Sequence, residues 1–236
     1  MPSRQRTPDG PAPDPAVQRL RVRYAKRGRL RFSSTRDFQR ALERALRRSA
    51  VPVAFSAGFH PHPRISYANA APTGTASEAE YFEIQLTERR EPEQLRAALD
   101  GALPADLVIV DVAEALPDAL ADRLEGSVWR LDFAADDADA VAAAVAALLA
   151  RDDATVTRMT KRGERAFDVR GAIVALTTDG GTVTLVLRHL TPLVRPDDVL
   201  VALGSYGGFR PTRAPLVTRL AQGPLGADGQ VGDPLR

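Results

Sequence analysis

The chain of 236 residues is 44% hydrophobic and 26% charged, with a formal net charge of +2. That is the composition of an ordinary folded chain, apolar enough for one large core or two small ones. It contains no cysteine, which excludes disulfide frameworks, thiolate nucleophiles, Cys-ligated zinc and thiolate-held iron–sulfur clusters.

The small net charge conceals an asymmetry. From Arg19 to Arg64 there are thirteen Lys/Arg against Asp37 and Glu43 alone, a local charge of +11 that the rest of the chain offsets. A stretch so basic points to a polyanionic partner. No apolar stretch follows the charges of the N-terminus, and the most apolar run, Ala138–Ala150, is too short to span a bilayer. The expected location is therefore the cytoplasm, with no membrane association.

In chain order, residues 1–18 carry five prolines and little to bury, and are expected to be a disordered leader. Leu20–Phe32 reads as a strand in which Leu20, Val22 and Tyr24 alternate with arginines, with a possible turn at Lys26-Arg27-Gly28. Ser34 or Thr35 then caps a helix running to about Ser49. Phe38, Ala41, Leu42, Ala45 and Leu46 form its apolar face, while Arg36, Arg40, Arg44 and Arg48 recur every four residues beside it. A short strand at Pro52–Ser56, a Gly/Pro/His-rich loop, a strand at Ala79–Thr87, a helix at Glu91–Leu103 and a strand at Asp106–Val112 follow. This order, β-α-β-β-α-β, is that of a ferredoxin-like sandwich.

The pattern restarts after Gly126 with a strand at Val128–Phe133, a helix at Asp136–Ala150 and a strand at Thr155–Lys161. A hairpin turns at Asp179-Gly180-Gly181, and Arg195–Leu203 is a last helix opened by Pro196. The expected architecture is α+β, two tandem ferredoxin-like sandwiches: a basic domain at 19–115, a linker at 116–126, a second domain at 127–222 and a flexible tail at 223–236.

Periodicity does not account for the stretch Phe55-Ser56-Ala57-Gly58-Phe59-His60-Pro61-His62-Pro63-Arg64-Ile65-Ser66-Tyr67-Ala68. Its aromatics interleaved with cations are what single-stranded nucleic acid requires, faces for stacking and charges for phosphate. Phe55, Phe59 and Tyr67 equally suit a loop pinned onto a core. The expected nucleic-acid surface comprises Arg36, Arg40, Arg44, Arg47, Arg48, Phe59, His60, His62, Arg64 and Tyr67. His60 and His62 are also candidates for a general base toward an RNA 2′-hydroxyl, although no acid/base partner accompanies them. No Asp, Glu or Cys in the loop completes a metal site with them, so no metal is expected. Pro72–Glu78 is a small-residue loop that either cradles a phosphate or merely connects. Asp168 is read as stabilising a turn, and Gly204–Arg210 offers another aromatic and cation among glycines.

Leu30-Arg31-Phe32-Ser33, Asp37, Arg44–Arg48, Pro52, Phe55–Pro61, Pro63, Ile65-Ser66, Gly74, Ser77-Glu78 and Glu80-Tyr81, with Lys161-Arg162-Gly163 and Asp168-Val169-Arg170 further on, resemble an uncharacterised bacterial family of radical-SAM-linked proteins. The Gly-Phe-His-Pro stretch is the most specific part. Where the family more often has a Ser-His-Leu-Asp-like segment, this chain reads Ser33–Asp37 without histidine. The resemblance implies an accessory to a radical SAM enzyme acting in tRNA or rRNA modification. The [4Fe–4S] cluster, SAM and cobalamin would belong to that partner, and this chain would bind no cofactor itself. Three roles stay open: a non-catalytic RNA-binding and substrate-presenting module, a metal-independent endoribonuclease using a loop histidine, and an adaptor whose basic helix docks on the partner enzyme.

Overall fold

The computed structural model describes residues 13–160 and 163–236. Most of the expected leader, and Lys161 and Arg162, lie outside the described residues. The chain folds as two compact units.

The first unit takes residues 13–70 and 80–120, with Leu235. Its elements are β1 (Gln18–Lys26), α1 (Thr35–Arg48), β2 (Ile65–Ala68), β3 (Ala76–Leu86, whose first residues belong to the second unit), α2 (Pro92–Asp100) and β4 (Leu107–Glu114). The strands lie in the order β4-β1-β3-β2. β4 runs antiparallel to β1, and β2 antiparallel to β3 in the register Ile65↔Ile84 to Ala68↔Tyr81. α1 forms where the helical spacing of its apolar residues predicts, and Phe38, Ala41, Leu42, Ala45 and Leu46 are all buried. Ser34 and Asp37 close its N-terminus as a reciprocal capping box. Phe38 stacks on Tyr24 at 3.9 Å between ring centroids, and both rings lie against Phe82.

Two local expectations are corrected. The first strand stops at Lys26, because Gly28 takes a φ of +48° and opens a 3₁₀ turn over Gly28–Phe32. A side chain at Gly28 would collide with the Asp106 carboxylate at 2.4 Å. Pro52–Ser56 makes only single bridges, Val53↔Leu86 and Phe55↔Pro63, and the paired strand is Ile65–Ala68 instead. The prolines at 52, 61 and 63 lack the N–H groups that a ladder there needs.

The second unit takes residues 71–79 and 121–234, with Arg236. It contains β5 (Gly126–Asp132), α3 (Ala138–Leu149), β6 (Thr155–Thr160), β7 (Gly163–Asp168), β8 (Ile173–Asp179), β9 (Thr182–Arg188), α4 (Pro196–Gly207) and β10 (Leu216–Gly223). The order β10-β5-β9-β8 is antiparallel at every step, while β6 and β7 form a separate hairpin. α3 and α4 approach closely at Gly207, where a Cβ would lie 2.6 Å from Ala144. β7 and β10 were not expected from the sequence. Nor was the assignment of 71–79 to this unit, which follows from the parallel pairing Thr218↔Ala76 and Arg219↔Ser77.

The tail expected to be flexible is folded back on itself. Leu225 bridges Val231, Gly226 N donates to Gln230 O at 2.9 Å and Gly232 N to Pro224 O at 2.8 Å. Asp168 serves as the turn anchor its sequence suggests, accepting from the backbone N–H groups of Ala154, Arg170 and Gly171 at 2.8–3.0 Å. Partial burial opposes ionisation, but these three donors hold its carboxyl below the usual range. The fold is mixed α+β. Among the described residues, no helix is long and apolar enough to cross a membrane.

Candidate nucleic-acid interface

α1 presents Arg36, Arg40, Arg44, Arg47 and Arg48 to solvent. At 3.6 residues per turn, each step of four advances the row by about 40° around the helix, so Arg36 and Arg48 face different directions. Arg44 and Arg48 border a shallow pocket of about 260 Å³ with Ala41 and Ala102–Pro104, where Arg48 Nη1 donates to Ala102 O at 3.2 Å. Arg47 stands on the opposite flank, beside the loop that follows the helix. Asp37 keeps one negative charge at the start of the row, near Arg36 and Arg40. Its carboxylate accepts from the Ser34 hydroxyl at 2.7 Å and the Ser34 N–H at 3.1 Å, which hold its pKa below the usual range.

Not all of the basic stretch reaches the surface. Arg21 is fully buried, with Nε on Glu83 Oε1 at 2.9 Å and Nη2 on Asp118 Oδ1 at 3.2 Å. Lys26 is buried too, and Arg19 Nη2 donates to Leu116 O. The sequence count of +11 therefore overstates the charge available, and what remains is concentrated on α1 and at the exposed Arg27, Arg29 and Arg64.

The loop after α1 is pinched at its neck. Ser56 N donates to His62 O at 2.8 Å, His62 N to Ser56 Oγ at 3.0 Å and Arg64 N to Ala54 O at 2.8 Å. Its tip, turned by Gly58 at φ +126°, exposes Phe59 (62%) and His60. Between the neck and the last turns of α1 lies a pocket of about 370 Å³, lined by Glu43, Leu46, Arg47, Ala50, Val51, Val53, Phe55, Pro61, His62 and Pro63. A smaller one of about 250 Å³ brings the other side of His62 together with Arg64, Ser66, Glu83 and Gln85.

The structure thus gathers Arg47 and His62 at one pocket and His62 and Arg64 at another, while Phe59 and His60 stand apart at the tip. Tyr67 is corrected. Its ring packs edge-on to Phe38 and against Phe82, so it belongs to the aromatic core and not to the exposed face of the loop. Burial, and after it the Glu43 carboxylate, push its hydroxyl well above the ordinary range. Glu43 and Phe55 line the larger pocket without having been marked as site residues. The signal for Glu43 was its position four residues before Arg47 at the end of a helix, where the charges share a face.

The remaining candidates have structural employment. Ser77 Oγ accepts from Ala79 N at 3.2 Å and Arg219 Nε at 3.3 Å, which favours the plain connection over a phosphate cradle at 72–78. Phe209 is buried edge-on to Phe133, and the Tyr206 hydroxyl donates to Thr155 O at 2.8 Å. Among the described residues no three His, Asp or Glu are grouped as a metal site, and neither His60 nor His62 is hydrogen-bonded to a carboxylate.

A mixed α+β fold carrying an arginine-lined helix and a pinched aromatic loop defines the class of protein. Residues 19–196 match a family described as an uncharacterized protein conserved in bacteria (DUF2344), and the chain belongs to that family. No curated protein matches it. Among solved structures it is similar to an unknown protein from Galdieria sulphuraria, at 16% identity and a TM-score of 0.27 over 84% of this chain and 98% of that one.

Proposed function

We propose that the chain is a non-catalytic RNA-binding module that holds a tRNA or rRNA segment for modification or processing. The observation that carries this reading is the display of five exposed arginines on α1 beside a loop exposing Phe55, Phe59, His60, His62 and Arg64. Such a surface offers phosphate contacts along α1 and stacking faces on the loop, with Arg47 next to the loop. We read each unit as a ferredoxin-like sandwich. Support comes from strand orders β4-β1-β3-β2 and β10-β5-β9-β8, which repeat one arrangement if the β6–β7 hairpin is set aside as an insertion. A radical SAM enzyme as partner, carrying its own cluster, SAM and cobalamin, rests on the resemblance of the Gly58–Pro61 stretch and its flanks.

The test is binding of bulk tRNA and rRNA fragments across a salt series. Phosphate contacts give a log-affinity slope of about −0.7 to −0.9 per phosphate neutralised. Charge reversal at Arg36, Arg40 and Arg44 should flatten that slope by about two to three; Arg48 is spared because it holds the Ala102 carbonyl. No affinity at low salt would discard the RNA reading and leave α1 as a docking face for an acidic protein.

A further inference from the structure

The larger pocket has the makings of a base-recognition site. Its walls are apolar, from Leu46, Val53 and Pro61, and Phe55 keeps 44% of its surface exposed at the rim although its backbone is fixed by the bridge to Pro63. At about 370 Å³ it falls in the range of small-ligand sites. Two charged side chains line it, Glu43 and Arg47, four residues apart on α1. Glu before Arg at this spacing is the favourable orientation for an ion pair. Yet among the described residues neither makes a hydrogen bond or ion pair, so both offer their full bonding capacity to an occupant.

The chemistry of that pair selects among the bases. An ionised carboxylate only accepts hydrogen bonds. On its Watson–Crick edge guanine presents two adjacent donors, the ring N1–H and the exocyclic amino group. Adenine and cytosine present one amino donor beside a ring nitrogen that would repel the carboxylate, and uracil presents a single N–H between two carbonyls. An unstacked guanine can lie with one face on Phe55, as single-stranded bases lie on aromatic rings, with its edge toward Glu43. Arg47, one helical turn on, supplies a cation for the phosphate.

We propose that the pocket between α1 and the 55–63 loop binds a single unstacked guanine, of an RNA strand or of a free nucleotide, with Glu43 as the residue that reads the base. The proposal rests on the RNA-binding reading for its source of guanine, but the two fail separately. The experiment measures fluorescence anisotropy of decauridylate and of the same decamer carrying one central guanosine, adenosine or cytidine, with competition by GMP and AMP.

The guanosine decamer should bind about tenfold tighter than the others, the worth of one good base-edge contact. Glu43→Gln should reduce that preference to under about threefold, because its amide offers one acceptor in place of two, while affinity for decauridylate is kept. Phe55→Leu should weaken the guanosine decamer most. Reversal of Arg36, Arg40 and Arg44 should weaken all four alike and keep the ratio. Decamers that bind without base preference, or a preference that survives Glu43→Gln with the circular-dichroism melt unchanged, would overturn the pocket and leave RNA binding standing. Preference for GMP over AMP with no decamer bound would uphold the pocket and overturn the RNA role.

Discussion

At His189, three hydrogen bonds fix one protonation state. Nδ1 faces the carbonyl oxygen of Leu124 at 2.5 Å, which accepts, so Nδ1 carries the hydrogen. Nε2 is then free to accept from the Ser127 hydroxyl at 2.9 Å, and Ser127 Oγ in turn accepts from Trp129 Nε1–H at 2.8 Å. A second proton on the imidazole would oppose the Ser127 hydroxyl proton. Burial, with Arg219 as the lesser opponent, lowers the His189 pKa from its ordinary 6.5 although the Leu124 bond works the other way. The sign follows directly. Below pH 6.5 the unfolded imidazole takes up a proton that the folded one resists, so the unfolded state binds more protons and stability decreases as the pH is lowered. The contribution is complete above 6.5 and is lost as the pH falls toward the lowered folded value. Urea midpoints followed by the fluorescence of Trp129, the single tryptophan, should drop between pH 7 and 5 by more in the native chain than in His189→Gln. Parallel profiles would show that His189 is not the group responsible.

Among the elements, α1 ends in an unusual cap. Val51 N donates to Leu46 O at 3.1 Å and Ala50 N to Arg47 O at 3.3 Å, the paired bonds of a Schellman closure. The left-handed position such a closure requires is filled by Ala50, at φ +48°, where glycine is usual. A Cβ there costs about 1–2 kcal/mol, of which glycine's freer unfolded chain would return 0.4–1. Ala50→Gly is therefore expected to stabilise by up to about 1.5 kcal/mol, read as a higher urea midpoint at unchanged m; a lower midpoint would refute it. Helix α1 was legible in the sequence because one apolar stripe, a Ser/Thr cap and an i,i+4 row all agree. β2 was misplaced because prolines around the loop obscure which short apolar run has the donors for a ladder. β10 escaped notice because its Leu216–Gly223 pattern mixes buried Thr218, Arg219 and Gln222 with apolar residues, so alternation fails there. At the site, the exposed arginines were readable from helical spacing. The burial of Tyr67 against Phe38 and Phe82 was not, since it depends on a strand pairing distant in sequence.

For the molecule as a whole, the division of the chain matters more than its order suggests. The second unit takes in 71–79, and two of its buried polar side chains depend on that segment: Gln222 Nε2 donates to Ala79 O at 2.7 Å and Arg219 Nε to Ser77 Oγ. Residues 121–236 expressed alone would lose these acceptors, each worth about 1–3 kcal/mol when a buried donor is stranded. That fragment should show a broadened, lower-midpoint unfolding transition of Trp129, restored when 71–79 is fused to it; a transition as sharp and stable as in the full chain would refute the dependence. The same pairing sets a timetable for biosynthesis. Ala79 leaves the ribosome long before Gly223, the end of the strand that must lie between β5 and residues 76–77. At about 5–20 residues per second, the place of β10 stands open for roughly seven to thirty seconds. Once β5 is complete at Asp132, the growing polypeptide carries two unpaired strand edges, at residues 76–77 and on β5, until β10 arrives, and that later part of the interval is where a nascent-chain chaperone would act.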